Sequence, residues 1–61
     1  MELNIKEIRK RAILTQPEFA EKLGVSTNTI SEWELGKKRP SIKNTRKIIE
    51  FCKNHNIPLE W

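Results

Sequence analysis

Cysteine is almost missing from this 61-residue chain: Cys52 stands alone, so no intrachain disulfide can form and a reducing compartment is the expected setting. Histidine is equally scarce. His55 follows Cys52 by three residues, a spacing that can begin a metal site, yet no further Cys or His exists to complete one. Cys52 also falls on an apolar stripe and reads as a buried structural thiol. No apolar run approaches the roughly 18 residues of a membrane span, and no secretory leader is visible at the start, so a cytoplasmic protein is expected. No glycine-rich phosphate loop occurs, and the carboxylates are scattered over faces that read as exposed. Internal repeats, low-complexity tracts and linkers are absent as well. These gaps argue against an enzyme and imply no cofactor, metal, small-molecule substrate or membrane partner.

What is present is enough for one small domain spanning residues 1–61. Apolar residues make up 36% of the chain and recur at helical spacing, which separates it from disordered sequences. A domain of this length buries only about 60% of its unfolded surface, so its stability is modest or shared with a partner. The formal charge of +4 and a pI near 9.6 favour a polyanionic partner.

The chain is organised around Thr15 to Pro40, TQPEFAEKLGVSTNTISEWELGKKRP. Thr15 and Glu18 form a capping box, and Pro17 lies in the first turn, where a missing N–H costs little. Phe19, Ala20 and Leu23 supply an apolar stripe, and Gly24 suits the left-handed conformation that stops a helix. Ser26 caps a second helix. At about 100° per residue, its Ile30 and Trp33 fall on one side, while Asn28, Ser31, Glu32 and Leu35 fall on the other, with Thr27 at the edge. Gly36 closes this helix before the basic run Lys37, Lys38, Arg39. Small residues at the turn, Ala20 above all, suit two helices crossing at the steep angle of a helix-turn-helix.

On the N-terminal side, Ile5, Ile8, Ala12 and Ile13 predict an amphipathic helix from Leu3 to about Leu14, with Asn4 and Glu7 as a second capping box. Arg9 lies beside the apolar stripe, an awkward place for an unpaired charge. On the C-terminal side, Ser41 caps a helix whose apolar positions are Ile42, Ile48, Ile49 and Cys52, with Phe51 at the edge and an end at Asn54 to Asn56. In the tail, Pro58 makes a short helical turn the better reading than a strand for Ile57, Leu59 and Trp61.

Several linked positions of TQPEFAEKLGVSTNTISEWELGKKRPS resemble the helix-turn-helix of the Cro/C1-type, or Xre, family of DNA-binding proteins, and the resemblance covers Ile5 to Ile49. It implies an all-α, compact four- to five-helix bundle of the lambda-repressor-like type with a central helix-turn-helix at about 15–35. It further implies sequence-specific binding of double-stranded DNA by a repressor-type transcriptional regulator, with the helix 27–35 in the major groove. In that family a basic residue at the place of Arg9 pairs with the residue corresponding to Glu34, so an Arg9 to Glu34 ion pair is implied. The alternative is that both side chains reach water separately.

Base reading would then fall to Gln16, Thr27, Asn28, Ser31 and Glu32. Asn28 has the donor and acceptor pair that grips adenine, and Thr27 has a methyl to set against thymine. Taken by themselves, without the resemblance, Thr, Asn and Ser read first as the solvated face of a capped helix. Lys37, Lys38 and Arg39 would contact the DNA backbone, their alternative being a solvated charge run. Lys10, Arg11 and Lys43 are expected to stay solvated. Two residues depart from the family pattern: Glu32 and Leu35 stand where basic or polar side chains are usual. A carboxylate can accept from cytosine N4 but repels phosphate, and Leu35 makes no hydrogen bond. The rival reading is therefore an antitoxin-like or adaptor protein-interaction module on the same fold. A homodimer is the expected assembly on DNA, with Phe51, Ile57, Leu59 and Trp61 either forming its contact or finishing the domain's own core.

Overall fold

The computed structural model describes residues 3–58. These form α1 (Ile5–Arg11), α2 (Gln16–Leu23), α3 (Thr27–Glu34) and α4 (Ile42–Asn54), with no strand among the described residues. Leu59 and Trp61, named above for the tail and the dimer contact, lie outside the described residues.

Each helix starts where a short polar side chain can accept from the backbone N–H three residues on: Asn4 from Glu7, Thr15 from Glu18, Ser26 from Thr29 and Ser41 from Asn44. Such a bond satisfies one of the donors that a helix leaves unpaired at its start. At Thr15 the box is complete, because the Glu18 carboxylate accepts in return from the Thr15 N–H at 2.8 Å. At Asn4 the expected box is only half made. The Glu7 carboxylate turns instead to Arg11 one turn on, at 3.2 Å, an i,i+4 pair that competes with the reach back to the cap.

All four helices stop in the same way. The residues with positive φ, among those described, are Ile13, Gly24, Gly36 and Asn56, one just past the end of each helix. At each stop the next N–H reaches the carbonyl five residues back: Leu14 to Arg9, Val25 to Ala20, Lys37 to Glu32 and Ile57 to Cys52. This is the Schellman arrangement, which satisfies terminal carbonyls and favours an apolar contact at the residue after the left-handed one. Leu14 and Val25 pack against the core, and Ile57 is buried in it. At α3 the corresponding residue is Lys37, which is exposed.

The core is made where these helices meet. Ile5 and Ile8 of α1, Phe19, Ala20 and Leu23 of α2, and Ile30 and Trp33 of α3 are buried together with Ile48, Phe51 and Cys52 of α4. The rings of Phe19 and Phe51 meet edge to face with centroids 5.1 Å apart, a favoured aromatic geometry. Buried Ala20 has no side chain beyond Cβ to hold α3 away, and α2 and α3 are the most closely packed pair. No helix among the described residues is long and apolar enough to cross a membrane.

Two further expectations need correction. The first helix ends at Arg11 rather than Leu14, and Ile13 is 88% exposed at φ 58°. It serves as the left-handed stop residue, so its side chain leaves the apolar stripe and Leu14 turns inward in its place. Ile42 is 77% exposed. Six residues before Ile48 at about 100° each place it about 120° round the helix from the buried face, which explains why Phe51 goes inside and Ile42 does not. The short turn expected for the tail lies mostly outside the described residues, which form no further helix as far as Pro58. Phe51 and Ile57 lie in the domain's own core, so neither presents a free apolar face for a dimer.

Ile13 carries a testable cost. A β-branched residue at positive φ is strained by about 1–2 kcal/mol, and so exposed a side chain has little packing to lose. Ile13→Gly is expected to raise the unfolding free energy by about 1 kcal/mol in urea titration. Gly24→Ala, at φ 70° with nothing nearer than Lys47 Nζ at 3.8 Å, is expected to lower it by a similar amount. A stabilising Gly24→Ala would contradict this account.

Candidate nucleic-acid interface

The α3 helix is held from behind and open in front. Ile30 has no exposed surface and Trp33 little. On the opposite side Thr27 and Asn28 are exposed in the first turn, Ser31 and Glu32 are half-buried, and Leu35 is 67% exposed just past the last turn. Ser26 fixes the start of this face through both the N–H and the hydroxyl of Thr29, at 3.1 and 2.8 Å. The short side chains of Thr27 and Asn28 thus project from a helix end with a defined position.

A four-way network sets the angle of α3 against α1 and α2. The Arg9 guanidinium donates through Nε to Glu34 Oε2 at 2.6 Å and through Nη2 to Glu34 Oε1 at 3.2 Å. Its Nη1 donates to the Leu14 carbonyl at 3.0 Å. The ion pair implied by the resemblance is therefore a two-pronged one, with both side chains largely out of water. The Gln16 amide donates to Glu34 Oε1 at 3.2 Å, so one carboxylate joins all three helices. Burial acts to raise the Glu34 pKa, but the bonds from Arg9 and Gln16 and the charges of Arg9 and Lys6 outweigh it and hold the carboxyl below its ordinary value. The bond to Glu34 likewise raises the Arg9 pKa against the effect of burial.

The sequence does not announce the Gln16 bond. Gln16 is half-buried, and its amide is oriented by Glu34 rather than free at the mouth of α2. The one available signal is positional: Gln16 opens the helix that follows Leu14, the residue whose carbonyl Arg9 holds. A second unanticipated contact joins Lys38 Nζ to Glu32 Oε2 at 3.6 Å. Lys37, Lys38 and Arg39 are exposed directly after α3, and Lys10, Arg11 and Lys43 are exposed elsewhere. Cys52 is buried in the core, and desolvation raises its thiol pKa, which fits a structural role.

The helix-turn-helix family model matches residues 5–55. An uncharacterised HTH-type transcriptional regulator of Methanocaldococcus jannaschii is 45% identical over 51 residues, which are 84% of this chain and 77% of that protein. Antitoxin PezA of Streptococcus pneumoniae is 41% identical over 54 residues, 88% of this chain and 32% of the antitoxin. The type II methyltransferase M.SsoII of Shigella sonnei is 42% identical over 50 residues, 77% of this chain and 13% of the enzyme. The chain thus spans about a third of the antitoxin and a small part of the methyltransferase. No solved structure matches it at comparable significance.

The network predicts a pH-dependent stability. Glu34 and Glu18 both ionise at lower pH folded than unfolded, Glu18 because the Thr15 N–H and hydroxyl bond its carboxylate. Their contribution is complete above about pH 4.3, the ordinary glutamate value, and is lost as pH falls through the folded values. Arg9→Met strands the Glu34 charge and is expected to cost about 3 kcal/mol at pH 7. Near pH 3 the gap to wild type narrows, because a protonated Glu34 no longer needs the guanidinium. Urea unfolding at both pH values measures it, and an unchanged gap would remove the ion pair as its cause.

Proposed function

The chain belongs to the Cro/C1-type helix-turn-helix (Xre) family, and we propose that it binds double-stranded DNA sequence-specifically as the reading domain of a repressor-type transcriptional regulator. One observation carries this: Ile30 and Trp33 anchor α3 from the inside while Asn28 and Thr27 stay exposed at its first turn. With its side chains an α-helix is about 10–12 Å across, so α3 is the size of element that a major groove about 12 Å wide admits. Asn28 offers a carbonyl and an amide to adenine N6 and N7, and the Thr27 methyl suits a thymine. Ser31 reaches the same groove wall, and Glu32 suits the amino group of cytosine. Gln16, oriented by Glu34, stands at the start of α2, where a helix N-terminus favours phosphate. Lys37 and Arg39 supply backbone contacts, and the net charge of +4 favours the encounter.

The domain works by binding alone, and the cytoplasm is the compartment this reading implies. A two-fold pair of chains would set two copies of α3 about 34 Å apart, one turn of DNA. Its contact must come from outside Phe51 and Ile57, which the core already occupies. A second reading, an antitoxin-like or adaptor module, is favoured by one feature: exposed Leu35 borders an open depression of about 390 Å³ that Leu3 and Trp33 also line. Its lining mixes these apolar side chains with Asn4, Lys6 and Glu34, and an exposed leucine at its edge suits a protein partner better than a phosphate.

Selection from random duplexes, followed by titration at two salt concentrations, separates the two. Asn28→Ala is expected to relax preference at one base pair by about 1–3 kcal/mol, whereas Lys37→Ala weakens cognate and scrambled DNA alike and flattens the salt dependence. Equal losses on both duplexes for Asn28→Ala would remove its reading role. Undetectable binding even at low salt would favour the protein-interaction module.

A further inference from the structure

Glu32 is the residue that fits a DNA-facing helix least well, and the structure shows what accompanies it. It lies four residues after Asn28 on α3 and therefore shares the outward face. Beyond the helix, Gly36 reverses the chain at φ 74°, and the N–H groups of Lys37 and Lys38 both point at the Glu32 carbonyl, at 2.9 and 3.4 Å. The loop is thus folded onto Glu32 by its backbone. That brings Lys38 Nζ to 3.6 Å from Glu32 Oε2, with the glutamate side chain 26% exposed and the lysine 70%. An ion pair so open to water adds little to folding. Its position beside the outward face points to another use.

We propose that Lys38 is a positioning residue for Glu32 rather than a phosphate contact, and that the pair acts as one unit selecting a cytosine at a single base pair. The inference rests on the DNA-reading function proposed above. A lone glutamate at the groove has three rotatable bonds and is drawn away from the phosphates toward water. With an ammonium at its side the local charge is balanced, and the carboxylate is held near the helix. It remains an acceptor only, so it accepts from the N4 amino group of cytosine and offers nothing to the O6 and N7 acceptors of guanine or the O4 of thymine; adenine also presents an amino group at N6, but the N7 acceptor beside it repels a carboxylate, whereas cytosine presents no acceptor there.

Base preference separates this from a phosphate clamp. The full chain and its E32Q, K38A, E32Q/K38A and K37A variants are each put through selection from random duplexes, and each preferred duplex is titrated against its single-base variants. Thermal unfolding confirms that each variant is folded. Both E32Q and K38A are expected to lower discrimination about tenfold at the same base pair, the scale of one base contact. The double variant is expected to go no further than either alone, and K37A to leave every preference intact while weakening all duplexes. If K38A weakens cognate and variant duplexes by one common factor, Lys38 is a phosphate contact and the proposal fails while the DNA-reading function stands. An E32Q profile identical to wild type sinks the selecting role in the same way. A wild-type chain that enriches no sequence overturns the DNA-reading function and this proposal with it.

Discussion

The Glu34 carboxylate is the joint on which the arrangement depends. It takes three hydrogen bonds, two from Arg9 on α1 and one from Gln16 on α2, while belonging to α3. A small domain with limited apolar area has few ways to fix the angle between short helices, because helices of seven or eight residues gain little rigidity from length. Apolar contacts set how close α3 comes to its neighbours, but they are non-directional. A planar guanidinium gripping a carboxylate at two points is directional. The third arm of Arg9, on the Leu14 carbonyl, extends the same constraint to the link between α1 and α2. Removing water from such a pair is costly, and the cost is offset here because every arm of the guanidinium that enters the interior finds an acceptor.

A second constraint is repeated four times. Each helix stops with one residue at positive φ, and at three of the stops the residue after it turns a side chain inward: Leu14, Val25 and Ile57. The stops therefore do two jobs, ending the helix and closing a corner of the core. The stop after α3 departs from this, since Lys37 faces solvent and the loop beyond it is basic. The core closes around α3 without using its C-terminal corner, and that corner is left to charge. The same backbone geometry thus serves packing at three places and the presentation of cations at the fourth.

The local rules were legible because they act over three to five residues. Ser26, Ser41 and Thr15 as caps, Gly24 and Gly36 as stops, and Ile30 with Trp33 as the inner face of α3 follow from side-chain chemistry and a period of 3.6. Ile13 is not legible in the same way, because an apolar residue in helical register looks like core and nothing in its neighbours marks the stop that a glycine would mark. Ile42 is apolar like the buried residues of α4, and only its angle from Ile48 around the helix, about 120°, tells that it faces outward. The Gln16 to Glu34 contact depends on where separate elements meet, which no local spacing encodes, and the Lys38 to Glu32 contact depends on the side chains that the Gly36 turn brings together. Arg9 was the exception: a charge beside an apolar stripe asks for a partner, and the family resemblance named Glu34.

The long side chains around α3 share a property that the short ones do not need. Thr27 and Asn28 are compact, and the capped start of the helix already fixes their positions. Gln16, Glu32 and Arg9 are long and flexible, and each is tied to a neighbour: Gln16 and Arg9 to Glu34, Glu32 to Lys38. Ordering a free side chain of this kind on binding costs about 0.5–1.5 kcal/mol. Side chains already restrained in the unbound domain have less freedom to lose. On a surface of short helices, where each contact with a base contributes only a few kcal/mol, restraint built into the free domain decides how much of that contact survives as specificity.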